Sequence, residues 1–90
     1  MKPVRTVVLN ALDETIGIRT NPDFARALRE NRDIRLADLQ VDSLTRFEAM
    51  MLIEEALGIE IDDDEMVAQD TVNGLVAYLE RLAAGAAADG

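Results

Sequence analysis

Residues 44–57 constrain this chain more than any other stretch. On a helical wheel, at about 100° per residue, Ala49, Met50, Ile53 and Leu57 share one side. Leu44, Phe47 and Met51 occupy the opposite side, beside Glu48, Glu54 and Glu55. A surface helix needs only one apolar stripe to join a core. This one has two, so one side packs inward and the other is left to be explained. Asp42 or Ser43 caps the start of the helix, and Gly58 stops it.

Helical periodicity continues on both sides of that stretch. Pro3 fits the first position of a helix. Val4, Val8, Ala11 and Leu12 then make one face, ending near Gly17. Asn21-Pro22-Asp23 supplies a cap, a first-position proline and an acidic first turn, and Phe24 and Leu28 lie four apart. This predicts a short helix at about 22–31. Ile34, Leu36 and Leu39 make the next connection too apolar for a free linker, so they are expected to plug the core. Ile59 and Ile61 do the same after Gly58.

Asp62-Asp63-Asp64-Glu65 invites a calcium reading. An EF-hand loop needs Gly at its sixth position and Glu at its twelfth. Counting from Asp62, the sixth residue is Val67, and the pattern fails. The run reads instead as the acidic first turn of a short helix at about 64–69, with no dedicated metal site. Asp70-Thr71 caps a last helix that turns Val72, Leu75, Val76 and Leu79 inward. Gly74 inside it costs about 1 kcal/mol relative to Ala. After Leu82 the tail has nothing to bury and is expected to fray. The pattern is all-α. Three main helices and a short third one form a domain over 1–84, a long first loop holds an extra short helix, and 85–90 is a flexible tail.

Several chemistries are excluded by what the chain lacks. It has no His and no Cys, and Ser43 is its only serine. Without an imidazole, Ser43 cannot be activated as a hydrolase nucleophile. Zero Cys removes disulfides and thiolate metal sites, which suits a cytoplasmic setting. No leader pattern and no run of eighteen apolar residues occurs, so neither secretion nor a membrane span is expected. The net charge of −9 is unevenly placed. Residues 1–41 hold seven bases and six acids, whereas residues 42–90 hold two bases and twelve acids. That argues against nucleic acid and for basic protein partners, with solubility alone as the competing reading. Arg26, Arg29, Arg32 and Arg35 recur every three residues. They read as a solvated basic face, a contact for an acidic partner, or an internal counter-charge to the acidic half.

The stretch around Ser43 resembles a known family. Asp42-Ser43-Leu44, preceded by Leu36-Ala37-Asp38-Leu39, is similar to the signature of acyl carrier proteins. Residues 44–48 and 52–61 are similar to that family's second helix and the apolar loop after it. Thr71-Val72, then Leu75, Val76, Tyr78 and Leu79, look like its last helix. The resemblance covers about residues 36–82. Gln40 departs from it, where the family usually has Gly, and so does Arg46, in a first turn usually less basic. Residues 18–35 look longer than the usual first loop.

The resemblance implies a small four-helix acyl-carrier bundle that is not an enzyme. It implies that Ser43 carries 4′-phosphopantetheine through a phosphodiester, between Leu44 and an Asp42 that the transferase and its Mg²⁺ recognise. The arm would supply the thiol this chain lacks, and a helix N-terminus suits its anionic phosphodiester. Leu44, Phe47, Glu48, Met51, Glu54 and Glu55 form an apolar strip with a charged rim, the composition of a transient protein contact. The competing reading packs Phe47 and Met51 under the long first loop. The implied partners are a phosphopantetheinyl transferase and acyltransferases, ketosynthases or other acyl-processing enzymes with basic surfaces. The carrier would act as a monomer in fatty acid or polyketide synthesis, the Leu36–Leu39 lead and the atypical first loop leaning toward a stand-alone polyketide type. A carrier for aminoacyl or D-alanyl groups is a rival, although peptidyl carriers usually place His where Asp42 stands. An unmodified acidic helical adaptor is the other. With only three aromatics, the core is aliphatic enough to admit an acyl chain between the helices.

Overall fold

The computed structural model describes the backbone of residues 3–39 and 41–89, and the side chains of those residues as far as 85. Gln40 and much of the expected 85–90 tail lie outside the described residues. Those described form α1 (Val4–Ile16), α2 (Pro22–Arg29), a 3₁₀ turn (Leu36–Leu39), α3 (Ser43–Leu57), α4 (Asp63–Val67) and α5 (Val72–Asp89). The domain is an all-helical bundle.

The helix ends follow local chemistry. Pro3 is the N-cap of α1 rather than its first helical residue, with an extended ψ of 126°. Gly17 ends α1 in the left-handed region at φ 67° and donates to the Asp13 carbonyl at 2.9 Å. A Cβ there would stand 2.9 Å from the Thr20 hydroxyl, so only glycine fits both space and angle. Asn21 caps α2 by accepting the Asp23 N–H. α2 stops two residues before the expected 31 because Asn31 turns left-handed, at φ 56°. The N–H groups of Asn31 and Arg32 then return to the Leu28 and Ala27 carbonyls, a Schellman closure with Asn in the usual glycine place. α4 begins and ends earlier than the expected 64–69, because Asp62 caps it through the Asp64 N–H and the chain tightens at Ala68.

The long first loop is tied down at its far end. The Val72 N–H donates to the Ile34 carbonyl and the Leu36 N–H to the Asp70 carbonyl, each at 2.8 Å. These bonds make a single antiparallel bridge between Arg35 and Thr71. The Thr71 hydroxyl accepts the Gly74 N–H at 3.0 Å, so Thr71 rather than Asp70 caps α5. The α5 backbone stays helical to Asp89, and Leu79 is the last fully buried residue among its described side chains. Leu82 still packs against the core, and the alanine-rich sequence after it has high intrinsic helix propensity.

α1 packs on α3 and α5. Val8, Ile18, Ile53, Leu75 and Leu79 are fully buried. Ile34, Leu39 and Ile61 plug the core as their pattern predicts, whereas Leu36, Leu57 and Ile59 are half-buried, at or just beyond element ends. No polar, charged or aromatic side chain is buried among the described residues, so the interior is held by aliphatic packing. Arg26, Arg29, Arg32 and Arg35 are all exposed. Arg32 pairs with its neighbour Glu30 at 2.7 Å, and none of the four pairs with residues 42–90 among the described residues. The internal counter-charge is not formed. Exposed long side chains gain too little from pairing to be held in place.

Candidate functional site

Ser43 is the first helical residue of α3, and Asp42 is its cap. Asp42 Oδ1 accepts the Thr45 N–H at 2.7 Å, and the Asp42 carbonyl accepts the Arg46 N–H at 2.9 Å. The N–H groups of Ser43 and Leu44 are left without an intrahelical acceptor. The Thr45 N–H, and then the Thr45 hydroxyl, hold the Asp42 carboxyl below the usual carboxylate range. Ser43 is exposed, and its hydroxyl makes no hydrogen bond among the described residues. The site therefore presents a free hydroxyl beside two free N–H donors and the positive end of a fifteen-residue helix.

The outer side of α3 is open. Leu44 is 68% exposed, Phe47 53% and Met51 48%, so the first loop does not cover them. Glu48 and Glu55 are exposed beside this strip. Glu54 differs from them. It is half-buried, and its carboxylate accepts the Ile61 N–H at 2.7 Å, which anchors the loop after Gly58. The structure thus groups Leu44, Phe47, Glu48, Met51 and Glu55 and turns Glu54 toward the loop. Two additions were not legible in sequence. Glu14 and Thr15 of α1 line a furrow with Phe47, Met51 and Glu55. Val67 of α4 is also exposed, but at the mouth of the cavity described next rather than on this strip. The pattern of α1 alone carries no signal of which α3 residues its polar side will flank.

A cavity of about 330 Å³ lies on the other side of α3, between the 3₁₀ turn, α4 and the start of α5. Leu12, Leu36, Leu39, Val41, Met66 and Leu75 supply most of its wall, and Arg46 and Asp70 add charge. Val41 precedes Ser43 by two residues, and Arg46 follows it by three. The acidic run is spread out. Asp62 caps α4, and Asp63 faces Arg46 at 3.9 Å. No group of three or more acidic, His or Cys side chains converges on a metal-sized site among the described residues. No described helix is long and apolar enough to cross a membrane.

The family described as the phosphopantetheine attachment site matches residues 8–79. The chain belongs to the acyl carrier protein family. Acyl carrier protein 3 of Ralstonia nicotianae is 35% identical over 78 residues, which are 86% of this chain and 77% of that protein. Acyl carrier protein MbtL of a Mycobacterium species is 33% identical over 70 residues, 78% of this chain and 76% of that protein. An acyl carrier protein of Desulforapulum autotrophicum is 43% identical over a shorter match of 44 residues, 49% of this chain and 57% of that protein. No solved structure matches. Members are carriers rather than catalysts, and their prosthetic group is 4′-phosphopantetheine. The carrier has what such a group needs: an exposed hydroxyl at a helix start, unpaired N–H donors for an anion, and an apolar cavity close by in the chain.

Proposed function

We propose that Ser43 is the residue to which 4′-phosphopantetheine is attached, and that the carrier presents acyl intermediates to successive enzymes of fatty acid or polyketide synthesis. The observation that carries this is the position of the chain's only serine, exposed as the first residue of α3 beside its cap Asp42. When bound, the arm supplies a terminal thiol that holds acyl groups as thioesters. Residues of the chain do the rest. The free Ser43 and Leu44 N–H groups and the α3 dipole favour the phosphodiester anion. Asp42 holds the helix start rigid through Thr45 and offers a carboxylate to the transferase and its Mg²⁺. Leu44, Phe47 and Met51 give partner enzymes apolar contact area, and Glu48 and Glu55 steer their basic surfaces. The long first loop with its own helix α2 supports a polyketide-type carrier over a housekeeping one.

Incubation with a phosphopantetheinyl transferase and coenzyme A tests the attachment. Intact mass should show one added arm, and Ser43→Ala should show none. Continued labelling of that variant would sink the assignment to Ser43, and no labelling of the unaltered chain would sink the carrier reading.

A further inference from the structure

The cavity beside α3 is aliphatic except where Arg46, Gln69 and Asp70 enter its wall. The Arg46 Nε is shut off from solvent and has no hydrogen-bond partner among the described residues. The nearest carboxylate, Asp63 Oδ1, stands 3.9 Å away and is itself more than half exposed. That distance offsets charge but lies well beyond a hydrogen bond. A buried N–H donor in the wall of a largely aliphatic cavity is costly unless an acceptor reaches it. Long side chains on a helix lean toward its N-terminus, which brings this donor back toward the turn that begins at Ser43.

We propose that Arg46 selects the cargo. The cavity takes an acyl chain that carries an oxygen acceptor in preference to a fully saturated chain of the same length, and Arg46 Nε–H donates to that oxygen. The aliphatic wall accepts the methylenes of either chain equally, the Gln69 amide nitrogen already donates to the Glu65 carbonyl, and the Asp70 carboxylate only accepts, so the preference lies in the Arg46 donor. Two cargoes share this chemistry: a chain with an oxygen near its thioester, and a chain ending in a carboxylate. The inference rests on Ser43 bearing the arm.

The test loads the full-length carrier with three acyl-phosphopantetheine arms of equal chain length: saturated, 3-hydroxy and terminally carboxylated. Loading is verified by intact mass. The Arg46 Nε–H resonance and its hydrogen exchange are then followed by NMR, together with the melting temperature. At least one oxygenated cargo should shift the resonance and slow exchange by about tenfold, roughly the effect of one charge-assisted hydrogen bond. The saturated cargo should leave both as they are in the unacylated holo form. Which oxygenated chain responds identifies the source of the acceptor. Arg46→Met should abolish the difference in melting temperature between oxygenated and saturated cargo. If the three loaded forms behave alike, the proposal is overturned. It is overturned too if the arm without cargo already produces the full shift, since Arg46 would then serve the phosphodiester. A chain that accepts no arm removes the carrier reading and this inference with it.

Discussion

Asp33 Oδ1 accepts the backbone N–H of Asn73 at 2.9 Å, across forty residues of chain. The same oxygen accepts the neighbouring Ile34 N–H at 2.9 Å. A residue of the first loop thus helps cap the last helix, alongside the helix's own Thr71. Desolvation pushes the Asp33 carboxyl upward, but the Asn73 N–H, the Thr71 hydroxyl, the Ile34 N–H and the Arg5 charge together outweigh it. The net effect lowers its pKa. Arg5 is held near by a hydrogen bond from its guanidinium to Asn73 Oδ1 at 2.6 Å.

A lowered carboxyl stabilises the fold when ionised. That stability is present above about pH 4, the ordinary aspartate value, and is lost as pH falls through the lowered folded pKa. Asp33→Ala should cost about 0.5–2 kcal/mol at pH 7, the range for losing a cap. Asp33→Asn keeps an acceptor in place and should cost less, while flattening the acid side of the stability curve. Urea unfolding at pH 7 and in the acid range reads both. An Ala variant as stable as the parent would show that Thr71 alone suffices.

Glu54 and Glu48 look alike in sequence and should behave differently. Glu54→Ala leaves the Ile61 N–H without its acceptor and should lower stability by about 1–3 kcal/mol. Glu54→Gln retains an oxygen and should lose less. Chemical denaturation of the two variants settles whether the bond is structural.

Glu48→Lys should leave the melting temperature almost unchanged and slow acyl transfer from a cognate enzyme. Exposed charges act mainly on association, and their reach is about 8 Å at physiological salt. The gap between parent and variant should therefore close as salt rises. Glu60→Lys, exposed but off this face of α3, is the control. Equal slowing by both would reduce the effect to net charge.

Salt should stabilise the domain, because twelve acids and two bases share residues 42–90. With no converging acidic group among the described residues, NaCl and MgCl₂ at matched ionic strength should raise the melting temperature alike. A larger rise with Mg²⁺ would reveal site binding. Among the described residues Arg32 pairs only with Glu30, so Arg32→Glu should stay within about 0.5 kcal/mol of the parent. A large loss would restore the counter-charge role that the geometry removes.

The sequence by itself determined the helices, because periodicity and caps act within a few residues. Asn21, Asp42, Asp62 and Thr71 each fold back on N–H groups two or three positions away. It also determined which side of α3 faces the core, since Ala49, Met50 and Ile53 are the buried ones, and it singled out Ser43. Tertiary structure decided what depends on approach between distant segments. Whether Asp42 or Ser43 capped α3 was open until the backbone placed Ser43 inside the helix. Glu54 belonged with Glu48 until the loop delivered the Ile61 N–H to it. The cavity beneath Arg46 exists only where the 3₁₀ turn, α4 and α5 meet. No pattern along one helix encodes that meeting, because the distances that create it are set by packing across the whole core.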